Sequence, residues 1–225
     1  MHPLDRPVWS MLTGRQAGLG LGGPLARRLA PDVGIFAAMV DGSQAAREAL
    51  GALVASHGDV AVVEGAAPQP VPGTRVTSEA VCWQMVAAAL PSAPPATFAW
   101  AALGEADGAE MLALATLTRP GPFFLNTHRL GRFIGVREGG RLVAMAGERM
   151  APDGFREVSG VCTHPDYRGR GYAAGLMRQV AARIAREGET PFLHVYASNR
   201  GAIALYETLG FIFRRELVIT SLAAA

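Results

Sequence analysis

The 225-residue chain reads as an α/β protein. Strand-length apolar runs alternate with helix-length segments whose apolar residues recur at three- and four-residue spacing. Clusters of glycine and proline punctuate these runs where elements should end. Half of the residues are hydrophobic and 18% are charged. That balance supports a packed core and excludes a disordered chain.

The elements follow in order. Residues 33–40 read as a strand, 43–57 as a helix with Ser43 as N-cap, and 59–65 as a second strand. Residues 77–90, TSEAVCWQMVAAAL, fit either period, and alanine content and length favour a helix. The proline-rich stretches 65–74 and 91–97 read as loops. A boundary is placed near residue 95, dividing an α/β region of unassigned role, 1–95, from a second domain, 96–225. In the second domain 97–103 is a strand and 105–117 a helix carrying Met111, Leu112, Leu114 and Leu117. Residues 132–150 form a hairpin that turns at Gly139 and Gly140, and 155–164 form a third strand. A helix over 171–186 sets Tyr172, Leu176, Met177, Val180, Ala181 and Ile184 on one face. Residues 192–197 are a strand, and a helix runs from Asn199 as N-cap to Gly210 beyond its C-cap. The last strand covers 211–222.

Several function classes fall away. Net charge is only +2 with scattered arginines, so no polyanion-binding face is expected and no nucleic-acid partner. The most apolar window is broken by Pro91, Pro94 and Pro95, which argues against a membrane span. The N-terminus lacks a signal-peptide core. Cys82 and Cys162 read as free buried thiols of a reducing compartment, so a cytoplasmic protein is expected, monomeric or homodimeric. No metal site is expected.

The stretch HPDYRGRGYAAGL, residues 164–176, carries the chemistry. A strand, a glycine-rich turn and a helix start make an anion site, because first-turn amides lack intrahelical partners and the helix dipole favours negative charge. Gly169 and Gly171 clear side chains from the approach, and Arg168 and Arg170 offer charge-assisted hydrogen bonds. A diphosphate is a plausible guest. The same loop can be written G-x-G-x-x-A from Gly169 to Ala174, a relaxed dinucleotide fingerprint. The strand after it ends in Ser198-Asn199 rather than an acidic residue, and too few residues follow for the rest of that fold.

Residues 97–220 resemble the GCN5-related N-acetyltransferases, and the wording EVSGVCTHPDYRGRG and LYETLGF looks like the FR47-like bacterial subgroup. Arg168, Gly169, Arg170, Gly171, Tyr172 and Ala173 match that family's Q/R-x-x-G-x-G/A motif, and Asn199, Ala202, Tyr206, Gly210 and Phe211 match its second signature. The resemblance implies a mixed sheet with helices on both faces and acetyl-CoA as cofactor. It implies that the loop amides hold the pyrophosphate and that Val161, Cys162 and Thr163 pair with the pantetheine arm. The family usually has a seventh strand, and this chain stops after a sixth. Either residues 1–95 supply a sheet neighbour or the sheet is one strand short.

Acetyl transfer needs a neutral amine, and at pH 7 only about one lysine amine in 2,500 is neutral. Glu157 opens the strand that leads into the loop, at the offset where histone-acetylating members of the resembled family place their base, while other members use an ordered water instead. Alternation puts Glu157, Ser159, Val161 and Thr163 on one face and turns Cys162 away. His164 and His194 are weaker candidates. Tyr206 lies seven residues after Asn199, so both face the cofactor, and the resemblance makes it the acid that protonates the leaving thiolate. The expected activity is N-acetyl transfer to a primary amine of a small molecule or peptide. The alternative is a CoA-binding module without catalysis. Residues 1–95 are expected on the acceptor side.

Overall fold

The structure is a computed structural model that describes residues 2–88 and 97–225. The expected boundary near residue 95 lies outside the described residues. The first region supplies α1 (Pro7–Thr13), the strands β1 (Gly20–Gly22), β2 (Ala26–Leu29) and β3 (Phe36–Met39), α2 (Gln44–His57), β4 (Val60–Glu64) and β5 (Thr74–Ala87). The remainder supplies β6 (Ala101–Leu103), α3 (Gly108–Thr118), β7 (Phe133–Glu138), β8 (Arg141–Glu148), β9 (Phe155–Thr163), α4 (Tyr172–Arg186), β10 (Thr190–Tyr196), α5 (Arg200–Thr208) and β11 (Phe211–Ala224).

These strands form one mixed sheet in the order β1-β2-β3-β4-β11-β5-β10-β9-β8-β7-β6. The segment expected to be a helix over 77–90 is therefore corrected as far as residue 87: β5 is a long strand, antiparallel to both β10 and β11. Its alanines favour a helix only weakly, and pairing along both edges outweighs that preference. The buried residues confirm a two-residue period, with Cys82 and Gln84 facing one way and Met85 the other. β5 fills the gap between β10 and β11, so the first region supplies the sheet neighbour that the sequence left open.

Helices cover both faces. The six apolar residues expected on α4 are all buried, and they pack with Ile134, Val143 and Leu193 of the sheet. α2 covers Val60, Val62 and Leu222, and Ser43 caps it by accepting from the Ala46 amide. α1, unassigned in the sequence, lays Val8, Met11 and Leu12 on the opposite face against Leu29, Ala61 and Leu217. α3 packs Met111 and Leu114 against Phe133 and Cys162. Glu148, fully buried at the end of β8, draws Arg132, Arg156 and Arg183 around it and so ties β8 to β9 and α4.

Two irregularities open the sheet. β9 and β10 run parallel only through Phe155–Glu157 on one side and Thr190–Phe192 on the other, and then part. In the same stretch β9 bulges against β8: Cys162 opposes Met145 and Ser159 opposes Gly147, three steps on one strand against two on the other. Gly160 lies in the bulge with φ +63°. The bulge reverses the side-chain parity. Val161 packs toward α4 and Cys162 toward α3, so Glu157 and Val161 do not share a face as strict alternation expected.

A Cβ at Gly160 would meet Phe133 Cε1 at 2.7 Å in addition to the left-handed backbone. Gly160→Ala is expected to destabilise the protein by about 1–3 kcal/mol, read as a lower urea midpoint. An unchanged midpoint would show that the bulge does not depend on glycine.

Candidate functional site

The parting of β9 and β10 opens a cavity of about 510 Å³ between the two strands and the start of α4. Its wall takes Val161, Cys162 and Thr163 from the bulged end of β9, Arg168 to Ala173 from the loop, and Asn199, Ala202 and Tyr206 from α5. Every residue the sequence put forward for cofactor binding lies here. Arg119, Tyr196 and Leu205 also line it and were not anticipated.

The loop has the form an anion site requires. Gly169 and Gly171 both have φ +77°, a region that other residues adopt only with strain. Gly171 is the N-cap of α4 and offers no side chain to the first-turn amides, which stay available to a ligand. Arg168 and Arg170 are exposed and join no salt bridge among the described residues; the Arg170 guanidinium lies 4.8 Å from the Tyr167 ring centre. Thr163 Oγ1 is buried without a hydrogen-bond partner, a polar atom left for a guest. These features fit a long ligand with a diphosphate at the loop and polar groups along β9.

A second cavity, of about 150 Å³, adjoins the first. The two share Pro120, Tyr196, Asn199 and Tyr206. Its floor comes from the first region: Ile35 just before β3, Phe36 of β3, Ala61 of β4 and Cys82 of β5, with Ile219 of β11. Arg149 and His194 complete the wall. Tyr206 stands at the junction, and burial pushes its hydroxyl above the ordinary tyrosine value, so it is fully protonated at neutral pH.

Glu157 does not line either cavity. It is fully buried at the last residue where β9 still pairs with β10. Arg149 grips it with Nε at 2.8 Å and Nη2 at 2.7 Å, and His194 Nδ1 lies 2.7 Å away. Burial alone would raise its pKa, but the Arg149 charge and these hydrogen bonds prevail and hold it at about 2. His194 Nε2 faces Gln84 Nε2 at 3.1 Å. Gln84 is oriented by Arg214, which donates to Gln84 Oε1 at 2.8 Å, so its amide nitrogen is the donor to His194. His194 is therefore the tautomer with its proton on Nδ1, and both its nitrogens are engaged. The sequence singled out Glu157 and His194 as bases. The structure brings them together beneath the cleft, with no free lone pair aimed into it.

The remaining expectations fall as follows. His164 sits in the loop, with its Nδ1 3.3 Å from the Asp166 amide and its Nε2 2.8 Å from Arg141 Nη2. Burial pushes the Cys162 thiol up to about 11 and the Cys82 thiol to about 12, so neither is a nucleophilic thiolate. No cluster of three or more potential metal ligands occurs among the described residues, and no helix there is long and apolar enough to cross a membrane.

Glu157 is charged in the folded protein at pH values where the free carboxylic acid, pKa about 4.3, would be protonated. Its folded value is depressed, so its stabilising contribution is present above about pH 4.3 and is lost as pH falls toward about 2. Glu157→Gln is expected to lower stability at pH 7, because Arg149 is left buried with its charge unmatched. It should also flatten the fall in stability between pH 5 and 3, read from urea midpoints across that range. An unaltered pH dependence would remove the ion pair from the account.

Comparison with known proteins adds the following. Residues 133–219 match the family model for FR47-like proteins. A solved structure from Novosphingobium aromaticivorans, assigned to the GNAT family of acetyltransferases, is 48% identical over the whole of both chains, with a TM-score of 0.90. A GCN5-related N-acetyltransferase from Kribbella flavida is 20% identical over 97% of this chain and 93% of its own, with a TM-score of 0.61. A GCN5-related N-acetyltransferase-like protein from Streptococcus suis is 15% identical over 97% and 92%, with a TM-score of 0.58. The last two share the fold. No curated protein matches the chain.

Proposed function

The chain belongs to the GNAT family of acetyltransferases, and on that premise we propose that it moves the acetyl group of acetyl-CoA directly to a primary amine. The observation that carries this reading is the pair of cavities that meet at Tyr206. One has the shape and donors for a long diphosphate ligand, and the other holds a small partner against the first one's inner end.

Acetyl-CoA supplies a thioester carbonyl. The amides around Gly171 and the two loop arginines bind its diphosphate, and the parted edge of β9 aligns its arm, with Thr163 Oγ1 as one partner. Those contacts hold the carbonyl at the junction, where an amine in the second cavity reaches it. A nitrogen–carbon bond forms and the carbon–sulfur bond breaks. Tyr206 gives its phenolic proton to the departing sulfur, and solvent in the cleft takes a proton from the nitrogen. Burial favours this role for Tyr206, because it keeps the hydroxyl neutral until the thiolate develops. Glu157 acts as a positioning residue: it fixes Arg149 and His194 in the wall of the second cavity.

Tyr206→Phe is expected to lower kcat by about 10²- to 10⁴-fold with little change in acetyl-CoA affinity, measured by thiol release and by calorimetry. Unchanged turnover would take the acid role from Tyr206. Acetyl-CoA binding without turnover on any amine would favour the non-catalytic CoA-binding module instead. Gly171→Glu fills the phosphate site with a like charge and is expected to abolish micromolar acetyl-CoA binding in the same titration. Retained binding would move the diphosphate elsewhere.

A further inference from the structure

We infer that the amine acceptor is the N-terminal α-amine of a peptide whose first residue is small and apolar. This rests on the reading of the site as an acetyltransferase and concerns what fills its second cavity.

The first argument is protonation. Among the described residues no Asp, Glu or Lys lines either cavity. The titratable groups facing the second cavity are Arg149, His194, Tyr196, Tyr206 and Cys82. Arg149 carries a permanent charge, Cys82 is held as a thiol and Tyr206 as a phenol. His194 has both nitrogens engaged, by Gln84 and Glu157. Tyr196 is half-exposed, 46% accessible, and carries a phenol rather than a carboxylate or amine. The site presents no side chain placed to strip an ammonium, so the acceptor must arrive neutral. At pH 7.5 a chain-terminal α-amine, pKa about 7.8, is about one-third neutral, and a lysine amine, pKa about 10.4, is neutral in about one molecule in 800. That difference alone is roughly 250-fold.

The second argument is the donor beside the amine. Arg149 gives Nε and Nη2 to Glu157, and its side-chain hydrogen bonds among the described residues leave Nη1 unused. The charge of this arginine is already matched by the buried carboxylate. What remains is a hydrogen-bond donor suited to a neutral oxygen, such as the first carbonyl of a peptide, rather than a site for a free carboxylate.

The third argument is shape. Ile35, Phe36, Ala61 and Ile219 make a floor with room for a short aliphatic side chain. The cavity does not end there. Through Gly121, Pro122 and Tyr196 it joins an open trough of about 470 Å³ lined by Thr116, Arg119 and Phe123. A free amino acid would leave that trough unused, and a peptide continuing from its first residue would run along it.

The experiment compares initial rates at pH 7.5 for four acceptors with acetyl-CoA. These are a pentapeptide beginning with alanine or valine, the same peptide with a blocked N-terminus and one internal lysine, free valine, and 1,4-diaminobutane. Expected is a kcat/KM for the open peptide at least 100-fold above the other three, with a pH profile that levels off above about pH 8, at the pKa of the peptide amine. A preference for the lysine peptide, the diamine or the free amino acid overturns the inference and leaves the acetyltransferase reading intact. Acetyl-CoA binding without transfer to any of the four defeats the acetyltransferase reading itself. Ala61→Leu, which fills the floor, should raise KM for the valine-first peptide about tenfold more than for the alanine-first peptide, with KM for acetyl-CoA unchanged. Equal effects on both peptides would place the first side chain elsewhere. Arg149→Lys keeps a charge for Glu157 but loses the free Nη1, and should raise KM for the open peptide; if it does not fold, the acceptor panel and Ala61→Leu still decide.

Discussion

The carboxylate of Glu157 is the constraint around which the site is arranged. A fully buried charge must be matched, and its partners come from the chain just beyond β8, through Arg149, and from β10, through His194. The hydrogen bonds continue. His194 meets Gln84 of β5, Gln84 meets Arg214 of β11, and Arg214 meets Asp5 near the N-terminus. This line of polar groups crosses the sheet where β9 and β10 stop pairing. Each member is satisfied only if the strands keep their spacing, so the network fixes where the sheet opens. The cavities are consequences of that opening.

β5 gives the opening its other border. It lies against β10 over Cys82–Val86 and leaves the opposite edge of β10 free to diverge from β9. Because β5, β4 and β3 come from the first region, their side chains reach the back of the cleft. Ile35, Phe36, Ala61 and Cys82 build the floor of the second cavity, and the second region supplies the glycine-rich loop of the first. A single continuous sheet therefore carries both cavities.

Much of this was legible in residues. The α4 apolar set, the Ser43 and Asn199 caps and the Gly139-Gly140 turn each rest on a local rule, and each is present in the fold. The Arg-Gly loop was legible because glycine and arginine together have few other uses ahead of a helix. β5 was misread because its sequence satisfies both periods and only its neighbours decide between them. The face of Glu157 was misread because one bulge at Gly160 reverses parity for every residue after it, and glycine in a strand signals that only weakly. Arg149 and Gln84 were invisible as site residues. Their partners lie up to 130 positions away in sequence, and no local spacing encodes them.

The distribution of charge along the cleft follows the chemistry asked of it. At the loop the arginines are exposed, where each contributes modestly and solvent screens it. Specific binding there depends on amides fixed in direction by Gly169 and Gly171, which cost nothing to reorganise when an anion arrives. At the junction the arrangement is reversed. Arg149 is cancelled by a buried carboxylate, and the acid beside it is a neutral phenol. A free positive charge there would repel an ammonium and draw its pKa down, and it would stabilise a departing thiolate without protonating it. A free carboxylate would do the opposite on both counts. A neutral junction favours neither extreme. It suits a nucleophile that is already uncharged and a leaving group that is protonated as it leaves.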